Sequence, residues 1–267
     1  MLLKAIDLAH RFPGTDILFE HLDFEISPGQ TVALCGPSGC GKSTLLSILA
    51  GWVKPWAGQV ERDDIHRIGW VFQNPYGVPE RTALDHVVFP LLCHGMSRRE
   101  AIPEALQAMG LFDLEYAADR RFSELSGGEA QRLMLARAVC SHPDVLLVDE
   151  PTAQLDTRTA ASVSEVLGNL AGQGMIVVVA THDPRARDAC DRVIDLADYA
   201  PVGAENVDGD AGESAAARVD GSVAESASGN IDENAAGNVA GSVGGSADGS
   251  LAGSADGSLA GSEGVRS

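Results

Sequence analysis

The stretch GPSGCGKST, Gly36 to Thr44, decides the fold. It matches G-x-x-x-x-G-K-[ST] at every fixed position, namely Gly36, Gly41, Lys42 and Ser43, with Pro37, Ser38, Gly39 and Cys40 between them. TVALC, Thr31–Cys35, leads into it as a continuous apolar run, and TLLSILAG follows at helical spacing from Thr44. Strand, glycine loop and helix in that order are the context a phosphate-binding loop requires. The glycines let successive backbone N–H groups turn inward as a nest for an anion, and the helix start adds its dipole. Lys42 then reaches the β- and γ-phosphates of a nucleotide, and the Ser43 hydroxyl is placed to ligate Mg²⁺.

Two further apolar runs extend the reading. DVLLVDE, Asp144–Glu150, is a buried strand ending in two carboxylates. Burying two acids at a strand end is costly unless they have partners or chemistry. Beside a phosphate loop, Asp149 is expected to hold Mg²⁺ through water, and Glu150 to act as general base on the attacking water. GMIVVVATHD, Gly174–Asp183, delivers Thr181 and His182 to a third strand end, where open α/β sheets gather their ligands. By contrast, LLKAIDLAHRF and LFEHLDFEI alternate apolar and polar residues, as half-buried antiparallel strands do. LSGGEAQR, Leu125–Arg132, poses a puzzle, because it is a second glycine-led helix start of anion-binding type and Glu129 puts a negative charge in it.

Composition divides the 267 residues. From Pro201 onward there is no aromatic residue, Cys or Lys, and the acids number 11 against two bases. Such a stretch cannot bury enough apolar surface to offset its chain entropy, so residues 201–267 read as a disordered acidic tail. The octad ADGSLAGS at Ala247–Ser254 recurs at Ala255–Ser262, as slippage in a tolerated terminus would leave it. Residues 1–200 suffice for one α/β domain. No run of 18 apolar residues exists to span a bilayer, and the start lacks a signal-peptide core. Five scattered cysteines without C-x-x-C spacing fit a reducing compartment. A net charge of −19 argues against a nucleic-acid partner.

GPSGCGKST, Gln73 in VFQNP, LSGGEAQR, LLVDEP, AQLD and THD occur in one order, and together they resemble the ATP-binding subunit of ABC transporters over roughly residues 1–198. The resemblance implies an α/β fold, a RecA-like P-loop NTPase core with an antiparallel β-subdomain and a helical subdomain inserted at about 74–137. It implies ATP as substrate, Mg²⁺ as cofactor and ATP hydrolysis as the reaction. By position, Phe12 stacks on adenine, Gln73 touches Mg²⁺ or the lytic water, Asp156 of AQLD sits at a dimer seam and His182 bonds the γ-phosphate. In the family two subunits bind ATP head to tail, so Ser126, Gly127 and Gly128 cap the nucleotide held by the other copy. Glu129, where Gln is usual, is expected to point toward the ribose across the dimer, with Arg132 as a neighbouring partner.

The resemblance also implies a separate transmembrane permease docked beside Gln73, a homodimer or heterodimer of ATP-binding subunits, and peripheral attachment at the cytoplasmic face of the cell membrane. TALDHVVFPLL, DEPTAQLD and THDPRARD look most like the lipoprotein- and macrolide-exporter branch. The short Gly51–Gln73 spacer looks instead like importers of small anions, and a non-transporting assembly ATPase stands as a further alternative. Trp52, Trp56 and Trp70 in that spacer read as packing residues. Cys40, beside Lys42, is expected to carry a thiol of lowered pKa.

Overall fold

The computed structural model describes residues 1–201, and the expected disordered tail lies, from 202 onward, outside the described residues. Three strands form an antiparallel sheet in the order β2-β1-β4: β1 (Leu2–His10), β2 (Phe19–Ile26) and β4 (Ala57–Asp63). The inward residues of β2, Phe19, Leu22, Phe24 and Ile26, are buried and most of the residues between them are exposed, the period-2 pattern legible in the sequence.

A second sheet has five strands in the order β5-β6-β7-β3-β8, all parallel: β3 (Thr31–Cys35), β5 (Ile68–Val71), β6 (Val145–Asp149), β7 (Ile176–Ala180) and β8 (Arg192–Asp195). Every residue of β3, β6 and β7 is buried, which is why these strands read as unbroken apolar runs. Alternate side chains feed two cores. Val145, Leu147, Ile176 and Val178 join α1 (Lys42–Leu49) and the antiparallel sheet. Leu146, Val148, Val177 and Val179 join α4 (Gly127–Val139) and α5 (Thr157–Gly172) on the opposite face. That second core also takes in α2 (Ala83–Cys93) and α3 (Arg98–Leu111), the helices between β5 and α4.

Register makes the strand ends level. Leu34 and Asp149 both pair with Ala180, and Val71 pairs with Val148. Gly36, Phe72, Glu150 and Thr181 therefore leave the sheet along one carboxyl edge, where crevices in open parallel sheets form. The tryptophans do pack, Trp70 half-buried against the core and Trp52 and Trp56 exposed. Trp52 stacks on Trp70 at 4.6 Å, Trp70 on Phe72 at 5.2 Å, and Trp56 carries the Arg11 guanidinium at 4.7 Å.

β1 bulges between Ile6 and Ala9, with Asp7 at φ 45°. The Asp7 N–H, lost to the ladder, donates to Asp23 Oδ1 at 2.9 Å. Gly58 on β4 closes over this bulge at φ +76°, and a Cβ there would run into the Ile6 and Asp7 carbonyls. Gly58→Ala is expected to destabilise the domain by about 1–3 kcal/mol, read as a fall in the urea midpoint.

Candidate functional site

The glycine loop is built by backbone necessity. Gly36 and Gly41 hold φ values of 135° and 102°, which side-chain-bearing residues rarely adopt. α1 starts after Gly41 without a side-chain cap, so its first N–H groups stay directed into the loop. Thr44 lies in the first turn of that helix, and Lys42 folds back so that Nζ donates to Gly36 O at 2.8 Å and Pro37 O at 3.1 Å. Pro37, Ser38, Gly39 and Cys40 line a cleft of about 800 Å³ whose facing wall carries Arg11, Thr15 and Asp16. Phe12 stands between those wall residues in sequence, 42% exposed, its ring set edge-on against His10 at 4.9 Å. Cys40 corrects the expectation of an activated thiol, since burial pushes its pKa up and outweighs the pull of Lys42.

Ser43 Oγ donates to Asp149 Oδ2 at 2.6 Å, joining the loop to the end of β6. Asp149 and Glu150 are each only 7% exposed. Burial pushes the Asp149 carboxyl up, the Ser43 bond opposes this, and the neighbouring Glu150 charge adds to it. Glu150 turns at φ 48°, a left-handed conformation that costs about 1–3 kcal/mol for a non-glycine residue. The turn is held because its N–H donates to Ala180 O at 2.9 Å. His182, at the end of β7, meets Glu150 Oε1 through Nδ1 at 2.7 Å while most of its ring faces solvent. Gln73, two residues beyond β5, is exposed on the same edge. Thus Lys42, Ser43, Asp149, Glu150 and His182 form one linked cluster, with Gln73 beside it along the sheet edge.

The LSGG residues are elsewhere. Ser126 is the N-cap of α4, which packs on the sheet face opposite α1. Gly127 and Gly128 are small because the chain at Gln154 and Leu155 lies against them: a Cβ on Gly128 would come within 3.1 Å of Gln154 O, and one on Gly127 would strike the Gln154 side chain. Asp156, just beyond, caps α5 by accepting from the N–H groups of Arg158 and Thr159 at 3.0 and 3.1 Å.

Glu129 departs from its expected direction. It folds back into a capping box, accepting from Ser126 N–H at 2.8 Å and Ser126 Oγ at 2.7 Å. Its other oxygen accepts from the Tyr116 hydroxyl at 2.6 Å and Arg120 at 2.7 Å. Arg132 is not its partner but binds the Phe112 and Asp113 carbonyls at 2.7 and 3.2 Å. Tyr116 and Arg120 carry no motif, so nothing in the sequence marked them, and Gln154 lies within AQLD, where Asp156 alone had been singled out. Burial raises the Glu129 carboxyl, but the bonds from Tyr116, Ser126 and Arg120 overcome it and hold the pKa at about 2.

A phosphate nest sharing a sheet edge with a buried acid pair defines a P-loop nucleotide hydrolase. The profile described as ABC transporter matches residues 19–153. The chain belongs to the ABC transporter family, as an ATP-binding subunit with ATPase activity. It is 40% identical over 207 residues to the lipoprotein-releasing system ATP-binding protein LolD of Koribacter versatilis, covering 70% of this chain and 92% of that protein. It is 37% identical over 190 residues to LolD 1 of Rhodospirillum rubrum, covering 65% and 84%. Among solved structures, the dimeric, post-hydrolysis ATP-binding cassette MJ0796 bound to ADP and Pi matches with a TM-score of 0.67 and 32% identity, over 73% of this chain and 94% of that one.

A carboxyl whose folded pKa lies below its unfolded value adds stability that is complete above the unfolded pKa and lost as pH falls toward the folded one. For Glu129 that window runs from 4.5 down to about 2. The urea midpoint of Glu129→Gln is therefore expected to lie below wild type at pH 6 and to converge on it as pH falls through this window.

Proposed function

We propose that this subunit drives a separate membrane permease by ATP-dependent pairing of two ATP-binding subunits, in a system of the lipoprotein-releasing type. The observation that carries the pairing is the placement of α1 and α4 on opposite faces of the parallel sheet. One copy holding ATP on its glycine loop needs a second to bring Ser126, Gly127 and Gly128 over the γ-phosphate. The dimeric state of MJ0796 supports this reading. The 92% coverage of the Koribacter LolD at 40% identity favours the lipoprotein branch over the small-anion importers.

Each residue then has a task. The nest from Gly36 to Thr44 wraps the phosphates, and Lys42 turns from the Gly36 and Pro37 carbonyls toward the β- and γ-oxygens. Phe12, next to Arg11 of the cleft wall in sequence, offers its exposed ring to adenine. Glu150, pinned by its backbone turn, orients the attacking water and takes its proton, and His182 bridges Glu150 and the γ-phosphate. Gln73 senses the same water from the neighbouring strand end, and Asp156 meets the second copy at the seam. Ser43 Oγ and Asp149 Oδ2 are hard oxygen donors that suit Mg²⁺. Among the described residues no three His, Cys, Asp or Glu side chains gather as a metal cage, which fits a cation completed by nucleotide oxygens and water. When bound, Mg²⁺ neutralises charge on the phosphate oxygens.

Among the described residues no helix is long and apolar enough to cross a membrane; in the reading proposed here the permease docks on this subunit's surface. The groove beside Gln73, about 450 Å³ and lined by Trp70, Phe72, Tyr76, Phe89, Met134 and Arg137, offers one. Tyr76 is 86% exposed and Phe89 55%, an apolar patch of the kind that marks an interaction site. We assign this groove to a cytoplasmic segment of the permease, a reading in which the subunit works at the inner face of the membrane.

Glu150→Gln is expected to lower kcat by about a hundredfold or more while ATP-dependent dimerisation persists on size-exclusion chromatography. Efficient hydrolysis by a strict monomer would overturn the two-copy reading. Tyr76→Ala combined with Phe89→Ala should abolish recovery of the subunit with membranes in its host, with basal hydrolysis in solution unchanged. Retention on membranes would place the docking surface elsewhere.

A further inference from the structure

Ser126 is assigned above as a donor to a phosphate held by a second copy, yet its proton is already engaged within its own chain. Its Oγ donates to Glu129 Oε2 at 2.7 Å and accepts from the Glu129 N–H at 3.3 Å. A hydroxyl carries one proton. While the bond to Glu129 stands, Ser126 turns a lone pair toward any incoming anion, and a lone pair repels a phosphate oxygen.

Glu129 is in turn held from several sides. Oε1 takes the Tyr116 hydroxyl at 2.6 Å and the Arg120 guanidinium at 2.7 Å, and Oε2 takes the N–H and hydroxyl of Ser126 at 2.8 and 2.7 Å. Arg120 is itself anchored to the Glu124 carbonyl. The carboxylate side chain is 13% exposed, so water replaces few of these donors. Four donors thus share one negative charge. Losing the Ser126 hydroxyl leaves three, so release is feasible but not free. The more firmly the other donors satisfy the carboxylate, the weaker its hold on Ser126.

We propose that Glu129 is a positioning residue acting as a latch: it competes with the γ-phosphate of the second copy's nucleotide for the Ser126 proton, and Tyr116 tunes the latch by sharing the same carboxylate. The inference rests on the two-copy reading above and adds a device to it. Closure then exchanges one anionic acceptor for another, where an unoccupied hydroxyl would simply gain a bond. The ATP-bound pair is correspondingly looser, and after hydrolysis the Ser126 proton has an acceptor in its own chain to return to.

Three readings of Glu129 give different outcomes. As a latch, Glu129→Gln weakens the competing acceptor, because bonds to a neutral amide are roughly half as strong as those to a carboxylate. Tyr116→Phe does the opposite, since it removes a donor and strengthens the carboxylate's grip on Ser126. As a plain helix cap, both changes loosen the loop and both hinder closure. As a source of charge repulsion alone, Glu129→Gln helps closure and Tyr116→Phe, which leaves the charge in place, does nothing.

The test uses the full chain carrying Glu150→Gln, so that hydrolysis does not erode the dimer, and reads the ATP concentration at half-maximal dimerisation by analytical ultracentrifugation. Glu129→Gln is expected to lower this midpoint by about threefold or more, and Tyr116→Phe to raise it by a similar factor. Shifts in the same direction, or an unmoved midpoint in Tyr116→Phe, would overturn the latch. Tyr116 is 68% exposed, so its substitution leaves the fold intact and decides the matter even where Glu129→Gln fails to fold. A parent that stays monomeric at every ATP concentration removes the two-copy reading and the latch with it. A parent that dimerises with both midpoints unmoved removes the latch alone.

Discussion

The site depends on three parallel strands ending level. Leu34 and Asp149 share Ala180 as their partner, so the glycine loop, the acid pair and the Thr181–His182 corner emerge side by side. Hydrogen-bond register alone would permit a slip, but each strand feeds two cores with alternate side chains. A slip of one residue would exchange the two faces of β6, sending Leu147 and Leu146 into each other's cores. Packing on both faces therefore holds the Ser43–Asp149 and Glu150–His182 contacts in line. The cost appears at Glu150, whose left-handed backbone is tolerated because Ala180 O accepts its N–H.

The same two-faced sheet explains why the chemistry is divided. α1 presents its bare N-terminus from one core, and α4 presents a capped one from the other. The contrast is chemical as well as spatial. α1 has no side-chain cap, so its first N–H groups are not taken up by a side chain of their own helix start. α4 has a full capping box, so part of its donor capacity is spent within the chain. A helix start without a cap reads as a primary anion site. One with a cap that must be loosened reads as a site engaged conditionally. The Gln154–Leu155 segment, packed on Gly127 and Gly128, ties the start of α4 to the Asp156 corner.

Much of this was legible in the residues. Period-2 alternation announced the antiparallel sheet, unbroken apolar runs announced strands buried on both faces, and a glycine motif between two apolar runs announced the strand–loop–helix turn. What escaped was decided by neighbours remote in sequence. Glu129 was expected to reach outward with Arg132 beside it, because helical spacing brings those two together. Tyr116 and Arg120, thirteen and nine residues earlier, claim the carboxylate instead. Cys40 was expected to be acidic from the adjacent Lys42, but burial outweighs one partly screened charge.

The sequence by itself determined the elements, the order of the strand-end motifs and the identity of the groups that gather along the sheet edge. These follow from local rules of periodicity, glycine freedom and charge, which act over a few residues. Only the tertiary structure decided where each charged side chain points and which donor it satisfies. A half-buried carboxylate takes whichever donors surround it in space, and the chain path that brings Tyr116, Arg120 and Ser126 around Glu129 is set by the packing of the core rather than by any local pattern.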